Sequence, residues 1–537
     1  MTERKADVLV VGGGLGGVAA ALAVLRRGMR VVLTEEYPWL GGQLTSQAVP
    51  PDEHPWIEEF GATRSYRELR ERIRDYYRRN FPLTDEARAW SALNPGAGWV
   101  SKLCHEPRVA VAVIDELLAP WRSAGLLEVL QPVRPVGADL DGDIVRAVTL
   151  VDIWDGSPTV VQAPYVIDAT EAGELLPLTG TEYVTGFESR HDTGEPSAPD
   201  VAAPNNMQSI SFCFAVDHVD GDHTIDQPER YAHWRAVQPD FWGAPLLSWT
   251  SPHPRTLELT TRGFTPNLDD NPLDVNADQS ANPGDGNLWT FRRIAARKLF
   301  TPGHYASDIT LVNWPSIDYF EAPVVDVSDD LARARLDDAR QLSLSMLYWM
   351  QTEAPRPDGG TGLPGLRLRA DVTGSSDGLA QAPYIREGRR IRAVTTVAEQ
   401  DVSRSVRGEA GARRYDDSVG VGMYRIDLHP STGGDNYIDV AAEPFEIPLG
   451  ALLPERVRNL LPAAKNIGTT HITNGCYRLH PVEWNVGEVA GALAAMCVRE
   501  GYEPHEIREK PAQLEQFQSQ LVSDGVELRW PDGVHGY

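Results

Sequence analysis

The sequence predicts an α/β fold, a Rossmann-like dinucleotide-binding domain whose two halves enclose an inserted α+β domain. Three observations predict it. Residues 6–36 read as strand, glycine turn, helix, strand and acid; a strand near residue 165 ends in Asp-Ala-Thr; and residues 458–497 read as strand, polar loop and glycine-containing helix. The first of these is one complete βαβ unit, the context that separates a dinucleotide fingerprint from a glycine-rich turn of purely structural origin.

The unit opens on Asp7-Val8-Leu9-Val10-Val11, an apolar run long enough for a buried parallel strand and too short for a buried helix. Gly12, Gly14 and Gly17 follow in G-x-G-x-x-G spacing, with Gly16 in the same turn. The first glycine allows a tight turn, the second lets backbone approach a diphosphate, and the third lets a helix close on the strand. That helix is Val18 to Arg27, and its N-terminus presents unpaired N–H groups and partial positive charge to the turn. Gly28 ends it. Arg30 to Leu33 is a second strand finishing at Glu35 and Glu36, about 20 residues past the glycines, where a ribose-binding carboxylate belongs. A signal peptide or membrane span over residues 8–25 is excluded by its five glycines, by Arg26-Arg27 and by the strand that follows.

Beyond Glu36 the chain passes through Gly41, Gly42 and Gln43 rather than into another βα unit. A Gly-Gly loop here resembles the FAD-binding variant of the fold, in which this segment runs along the ribityl chain toward the flavin. FAD is therefore the expected cofactor.

The chain has 537 residues, enough for about three domain equivalents. A formal net charge of -26, scattered rather than gathered in one tail, argues against nucleic acid or an anionic membrane as partner. The expected partner is a small-molecule substrate, and a homodimer is the self-association to consider. Cys104, Cys213, Cys476 and Cys497 lie far apart with no C-x-x-C and no zinc spacing, so they read as reduced thiols of a cytoplasmic protein with no metal site. No run is long enough for a membrane helix.

Along the chain, Tyr66 to Arg79 has helical periodicity with solvated charges. Arg108 to Leu118 reads as another helix, with His105 and Glu106 near its start as pocket or capping candidates. Leu126 to Ile167 is a run of strands with turns at Asp141-Gly142 and Asp155-Gly156. The closing strand, Tyr165 to Asp168, leads into Ala169 and Thr170, placed near the cofactor. The organisation expected is a dinucleotide-binding part at 1–175, a substrate domain at 176–383, a cofactor-contacting segment at 384–455, a closing part at 456–505 and a C-terminal tail at 506–537. Within the substrate domain, Pro196–Asn206 and Thr265–Asn287 read as loops, Ser209–Val219 as a strand and Leu331–Thr352 as a helix. Tyr384 to Ile391 reads as one helix turn, a solvated face or a place where Arg386 or Arg389 meets an anionic group. Gly420 to Pro430 is a strand ending in His429. The last segment delivers a loop holding His471, Asn474, Arg478 and His480 to a helix beginning near Glu483 to Val486, with Asn485 and Val486 at its N-terminus. A helix N-terminus aimed at the flavin's pyrimidine edge would stabilise the anionic reduced form.

Together, GGGLGG with Glu35 and GGQ, the D-A-T segment, YIREGRRI and NLLPAAKNIGTTHITNGCYRLHPVEWNVGEVAG resemble the FAD-dependent oxidoreductase family, a bacterial group. The resemblance implies a two-dinucleotide-fold scaffold of the glutathione/fumarate reductase type and FAD as cofactor, and it names no substrate. The family carries R-E-S-R-R where this chain has Arg386-Glu387-Gly388-Arg389-Arg390, so a hydroxyl is missing at Gly388. The activity expected is a dehydrogenase or oxidase moving hydride from a CH–OH or CH–NH group to flavin N5. The base would be His480, or alternatively His471 or His429, and Arg478 would stabilise reduced flavin or bind a substrate carboxylate. A flavin monooxygenase is the alternative and lacks a second glycine fingerprint here. An FAD-binding electron-relay subunit is the other, and iron–sulfur cysteine spacing is absent.

Overall fold

The computed structural model describes residues 2–275 and 286–536. Residues 276–285 of the expected loop Thr265–Asn287 lie outside them. The first elements are β1 (Thr2–Lys5), β2 (Val8–Val11), α1 (Leu15–Leu25) and β3 (Val31–Thr34). Every residue of β2 and of α1 is buried, as a central parallel strand and the helix covering it require. There follow α2 (Arg64–Asn80), whose Thr63 side chain accepts from Tyr66 N, and α3 (Pro107–Ser123), which begins on proline. Then come β4 (Leu127–Leu130), an antiparallel run of β5 (Val133–Asp141), β6 (Ile144–Asp152) and β7 (Pro158–Gln162), and β8 (Tyr165–Asp168). Gly142 and Gly156 turn that run at positive φ.

A second region holds β9 (Phe214–His218), β10 (Arg293–Ala295), β11 (Ile309–Val312), α4 (Asp329–Thr352) and β12 (Leu366–Leu368). Its sheet order is β10-β11-β9-β12. Phe214 and Val216 of β9 enter an aromatic core with Trp249, Trp314 and Trp349, while Ala215 faces a smaller one. The strand expected over Ser209–Val219 is broken: Ile210–Ser211 pairs with Tyr384–Ile385, and β9 starts only at Phe214.

The chain returns through β13 (Leu460–Pro462), α5 (His471–Tyr477) and α6 (His480–Glu500). The five-stranded parallel sheet runs β13-β8-β2-β3-β4. Insertion of β13 beside β8 carries α5 and α6 to the carboxyl edge of strands that lie some 300 residues earlier in sequence. α6 packs on α1 without intervening side chains: a Cβ on Gly487 would lie 2.0 Å from Gly16 O, and one on Gly491 2.3 Å from Ala20 O.

Two further expectations change. The loop from His471 to His480 is two helices meeting at Leu479, because Thr470 caps the first and Pro481 sits in the first turn of the second. Tyr384 to Ile391 is not a helix turn but two short strands, Tyr384–Ile385 and Arg390–Ile391, joined by a bend. The tail beyond residue 505 holds a helix over Pro511–Asp524 and then returns to the core, with Trp530 Nε1 donating to Phe445 O. Among the described residues, no helix is long and apolar enough to cross a membrane and no cluster of His, Cys, Asp and Glu could hold a metal.

Candidate active site

A cavity of about 650 Å³ opens at the carboxyl ends of β2, β3 and β8, lined by Gly12, Gly14, Glu35, Glu36, Gly42, Ala169 and Thr170 among others. That is the crevice in which an open parallel sheet binds ligands. Gly12 stands at φ +97, and a Cβ there would lie 2.3 Å from Ala169 O. The Glu35 carboxylate accepts from Gly13 N and Tyr37 N, each at 2.8 Å. Burial pushes its pKa up to about 8 against those two donors. Burial likewise raises Glu36 to about 7. Thr170 Oγ1 donates to Asp168 Oδ1 at 2.6 Å and accepts from Glu174 N at 2.8 Å. Gln47 and Glu171 also line this cavity, and both amide atoms of Gln47 and Oε1 of Glu171 are buried with no hydrogen-bond partner. Orphaned polar atoms around a glycine cradle fit a polar dinucleotide.

Other residues expected at the cofactor shape this cavity from behind. Gly16 N donates to Glu483 Oε1 at 3.2 Å, and a Cβ on Gly16 would lie 1.7 Å from Ala463 O. Gly17 packs on Gly12 O, and Gly41 N donates to Gly13 O at 2.8 Å. Gln43 Nε2 donates to Arg478 O at 3.1 Å and to the Glu483 carboxylate. Asn485 Nδ2 donates to Val419 O at 3.4 Å, and Val486 is core.

A second cavity, about 170 Å³, is walled by Trp249, Phe291, Trp314, Tyr424 and Tyr437, with Asp52, Arg292, Asp427 and His429 among its polar lining. His429 Nδ1 lies 2.6 Å from Asp318 Oδ2, and its Nε2 lies 3.7 Å from Asp427 Oδ2. Asp318 is fully buried. Ser211 Oγ donates to its Oδ1 at 2.6 Å, and Arg386 pairs with it at 3.0 Å. Burial would raise the Asp318 pKa, but Arg386 and His429 outweigh it and hold the carboxylate below its ordinary range. An anionic Asp318 accepts a hydrogen bond from the Nδ1–H of His429 and so sets the tautomer that leaves Nε2 for chemistry.

A partition of Tyr384 and Arg478 links the linings of the two cavities. Ala382, Pro383 and Ile385 line the first cavity; Tyr384, between them, accepts from Arg478 Nη1 at 2.7 Å. Arg478 Nη2 in turn donates to Asp427 O at 3.0 Å and pairs with Asp427 Oδ2 at 3.3 Å. Burial would raise Asp427, but His429 and Arg478 hold it low. Arg478 thus connects the partition to the second cavity without lining either.

His480 lies in neither lining. Its Nδ1 accepts from Asp52 N at 3.1 Å, and burial followed by Arg292 and Lys465 lowers its pKa well below that of a free imidazole. Such a nitrogen, already accepting a backbone N–H, is poorly placed to take a second proton. His471 stacks on Phe187 at 3.6 Å and pairs with Glu387 at 2.9 Å, also outside both linings. Arg386 is buried, donating to Ser209 O and Ser211 Oγ; Arg389 pairs with Asp326 at 2.7 Å. Neither lines either of the two cavities described. His105 is buried with its pKa lowered to about 4 by desolvation, and Glu106 accepts from Tyr305. Asp318, Arg292, Asp52 and Asp427 were not singled out in the sequence. Asp427 had a signal, since Asp427-Leu428-His429 alternates on a strand and puts both polar groups on one face. Asp318 had none.

A family model described as FAD dependent oxidoreductase matches residues 7–521. No curated protein matches the chain. Among solved structures, the p-nitrophenol 4-monooxygenase PnpA of Pseudomonas putida is 13% identical over 99% of this chain and 91% of its own, with a TM-score of 0.36. The anhydrotetracycline hydroxylase OxyS of Streptomyces rimosus is 11% identical over 97% and 66%, at 0.34. The Sdh1 complex of Mycobacterium smegmatis is 15% identical over 32% of this chain, at 0.23, and the match spans 35% of that protein's length. None of the three reaches a TM-score of 0.5, so they carry no information on the substrate.

Proposed function

The chain belongs to the FAD dependent oxidoreductase family, and on that premise we propose that this FAD enzyme is a dehydrogenase or oxidase that takes hydride from a CH–OH or CH–NH group of a small molecule in the second cavity, with His429 as base. The observation that carries the reading is the His429–Asp318 pair opening on a cavity whose lining is linked through Arg478 and Tyr384 to that of the glycine-lined one. The dinucleotide would be held by the backbone of Gly12, Gly14 and Gly42 and by the Glu35 carboxyl. When bound, FAD supplies the acceptor for the substrate's hydride.

His429 Nε2 removes the heteroatom proton, and Asp318 on Nδ1 stabilises the imidazolium that results. Asp318 can do so only while ionised and fixed in place, and Arg386 and Ser211 hold it in that state. Arg386 therefore supports the base rather than binding the substrate, and Arg478 with Tyr384 keeps the partition polar. We further assign residues 1–175 and 456–505 to an FAD-binding domain of glutathione reductase type and 176–383 to an inserted substrate domain. Support comes from the aromatic core of residues 210–437, which is distinct from the core around α1 and α6.

Anaerobic mixing with candidate alcohols and amines, followed at the flavin absorption band, tests the base. H429Q should keep its FAD and lose reduction rate by a factor of about 10² to 10⁴. An unchanged rate would remove His429 from the chemistry.

A further inference from the structure

Arg292 is the least satisfied cation in the second cavity. Its Nε and Nη1 are buried and donate to no group among the described residues, and its one ion-pair partner, Asp52, stands 3.5 Å away. The guanidinium lies over the Phe291 ring, 5.0 Å from the centroid, which fixes its plane. An ever-charged group with fixed, unused donors is costly to bury unless an acceptor arrives, and its planar fork matches a carboxylate.

The rest of the cavity limits what can bring that carboxylate. Four arginines and three aspartates line it, an excess of one positive charge that suits a monoanion better than a phosphoryl dianion. Its volume is about 170 Å³, close to the ~150 Å³ of a cavity that accepts benzene. Trp249 and Trp314, in edge-to-face contact at 6.2 Å, supply rigid apolar wall, and Trp249 is itself locked by stacking on Phe264 at 4.9 Å.

We propose that the substrates of this site are carboxylates built on one ring, with the Arg292 guanidinium as the carboxylate anchor and the tryptophans as the ring's wall. This rests on reading the second cavity as the substrate site. Arg292 is then a specificity-determining residue, and the proton acceptor in the same cavity remains His429.

The test is calorimetric titration of the FAD-loaded protein with benzoate, which cannot itself be oxidised at a CH–OH or CH–NH group, and with its neutral isostere benzamide. Benzoate should bind the wild type at least about tenfold more tightly than benzamide, R292M should erase that difference, and R292K should keep part of it. H429Q should still bind benzoate. Equal affinities in the wild type, an absence of benzoate binding, or benzoate binding that persists in R292M would overturn the substrate class. The wild-type comparison needs no variant to fold. Arg292-dependent benzoate binding together with unchanged flavin reduction in H429Q would uphold the class while removing the base. Loss of the class with H429Q still impaired would do the reverse.

Discussion

The two cavities are made of different material. Part of the larger is a cradle of backbone and small residues, Gly12, Gly14, Gly42, Ala169 and Thr170, from three short stretches each placed by the strand that precedes it; side chains from 133–156, 324–336 and 382–385 line the rest. The smaller is made of side chains from six separate stretches, at 52, 100, 248–262, 288–292, 313–316 and 424–439. A backbone cradle tolerates an added atom only where a flexible side chain can move aside, but it needs no particular partner. A side-chain cavity tolerates changes of size but depends on which charges face one another. Substitutions should therefore fail in different ways on the two sides of the Tyr384 partition.

The largest effect belongs to the cradle. A Cβ on Gly16 would sit 1.7 Å from Ala463 O, a backbone atom that cannot move aside. G16A should cost about 4 kcal/mol or more and yield little folded, yellow protein. A stable yellow G16A would mean that α1 and the turn after β13 are further apart than described.

Next, on the side-chain side, His429 and His480 separate a base from a strut. H429Q should slow anaerobic flavin reduction by about 10² or more, and H480Q by less than about tenfold. The reverse ranking would return the base to His480 and make its bond from Asp52 N incidental.

Within the cradle, Gly14 is the mild counterpart of Gly16. An added Cβ would meet Glu171 Oε1 at 2.9 Å, the end of a flexible side chain. G14A should fold and weaken FAD retention by roughly tenfold, about 1.4 kcal/mol, measured by fluorescence recovery of the apoprotein on FAD titration. Unaltered affinity would show that the diphosphate does not approach this backbone.

The last effect is electrostatic. Glu35 titrates near 4.5 in the unfolded chain and near 8 when folded, because burial disfavours its charge. Between those values the folded apoprotein holds the extra proton, so stability falls as the pH rises. E35Q apoprotein should lose less stability than wild type in urea melts from pH 5 to pH 8. Equal losses would place the Glu35 carboxyl in water.

The glycine cradle was legible because each part is local: G-x-G-x-x-G, Glu35 about 20 residues on, and Ala169-Thr170 after an apolar strand. His429 was legible as a strand-end histidine, yet its rank among three histidines was not. His471 and His480 lie within ten residues of each other and read as a cluster, but α5 and α6 turn them to different neighbours, Glu387 for one and Asp52 for the other. The Arg386–Arg390 stretch read as a helix turn, solvated or facing an anionic group, because its charges are spaced for one; the buried Asp318 and the half-buried Glu188 pair with its arginines in an extended stretch instead.

By itself the sequence determined the βαβ unit and the cofactor class, since backbone geometry and missing side chains leave marks at fixed spacing. The tertiary structure alone decided which histidine meets a buried carboxylate at the wall of a cavity and which arginine is left with unused donors. Those outcomes depend on Asp318 and Asp52, 111 and 428 residues from the histidines they meet. Local periodicity sets which face a side chain takes, and only packing sets what waits there.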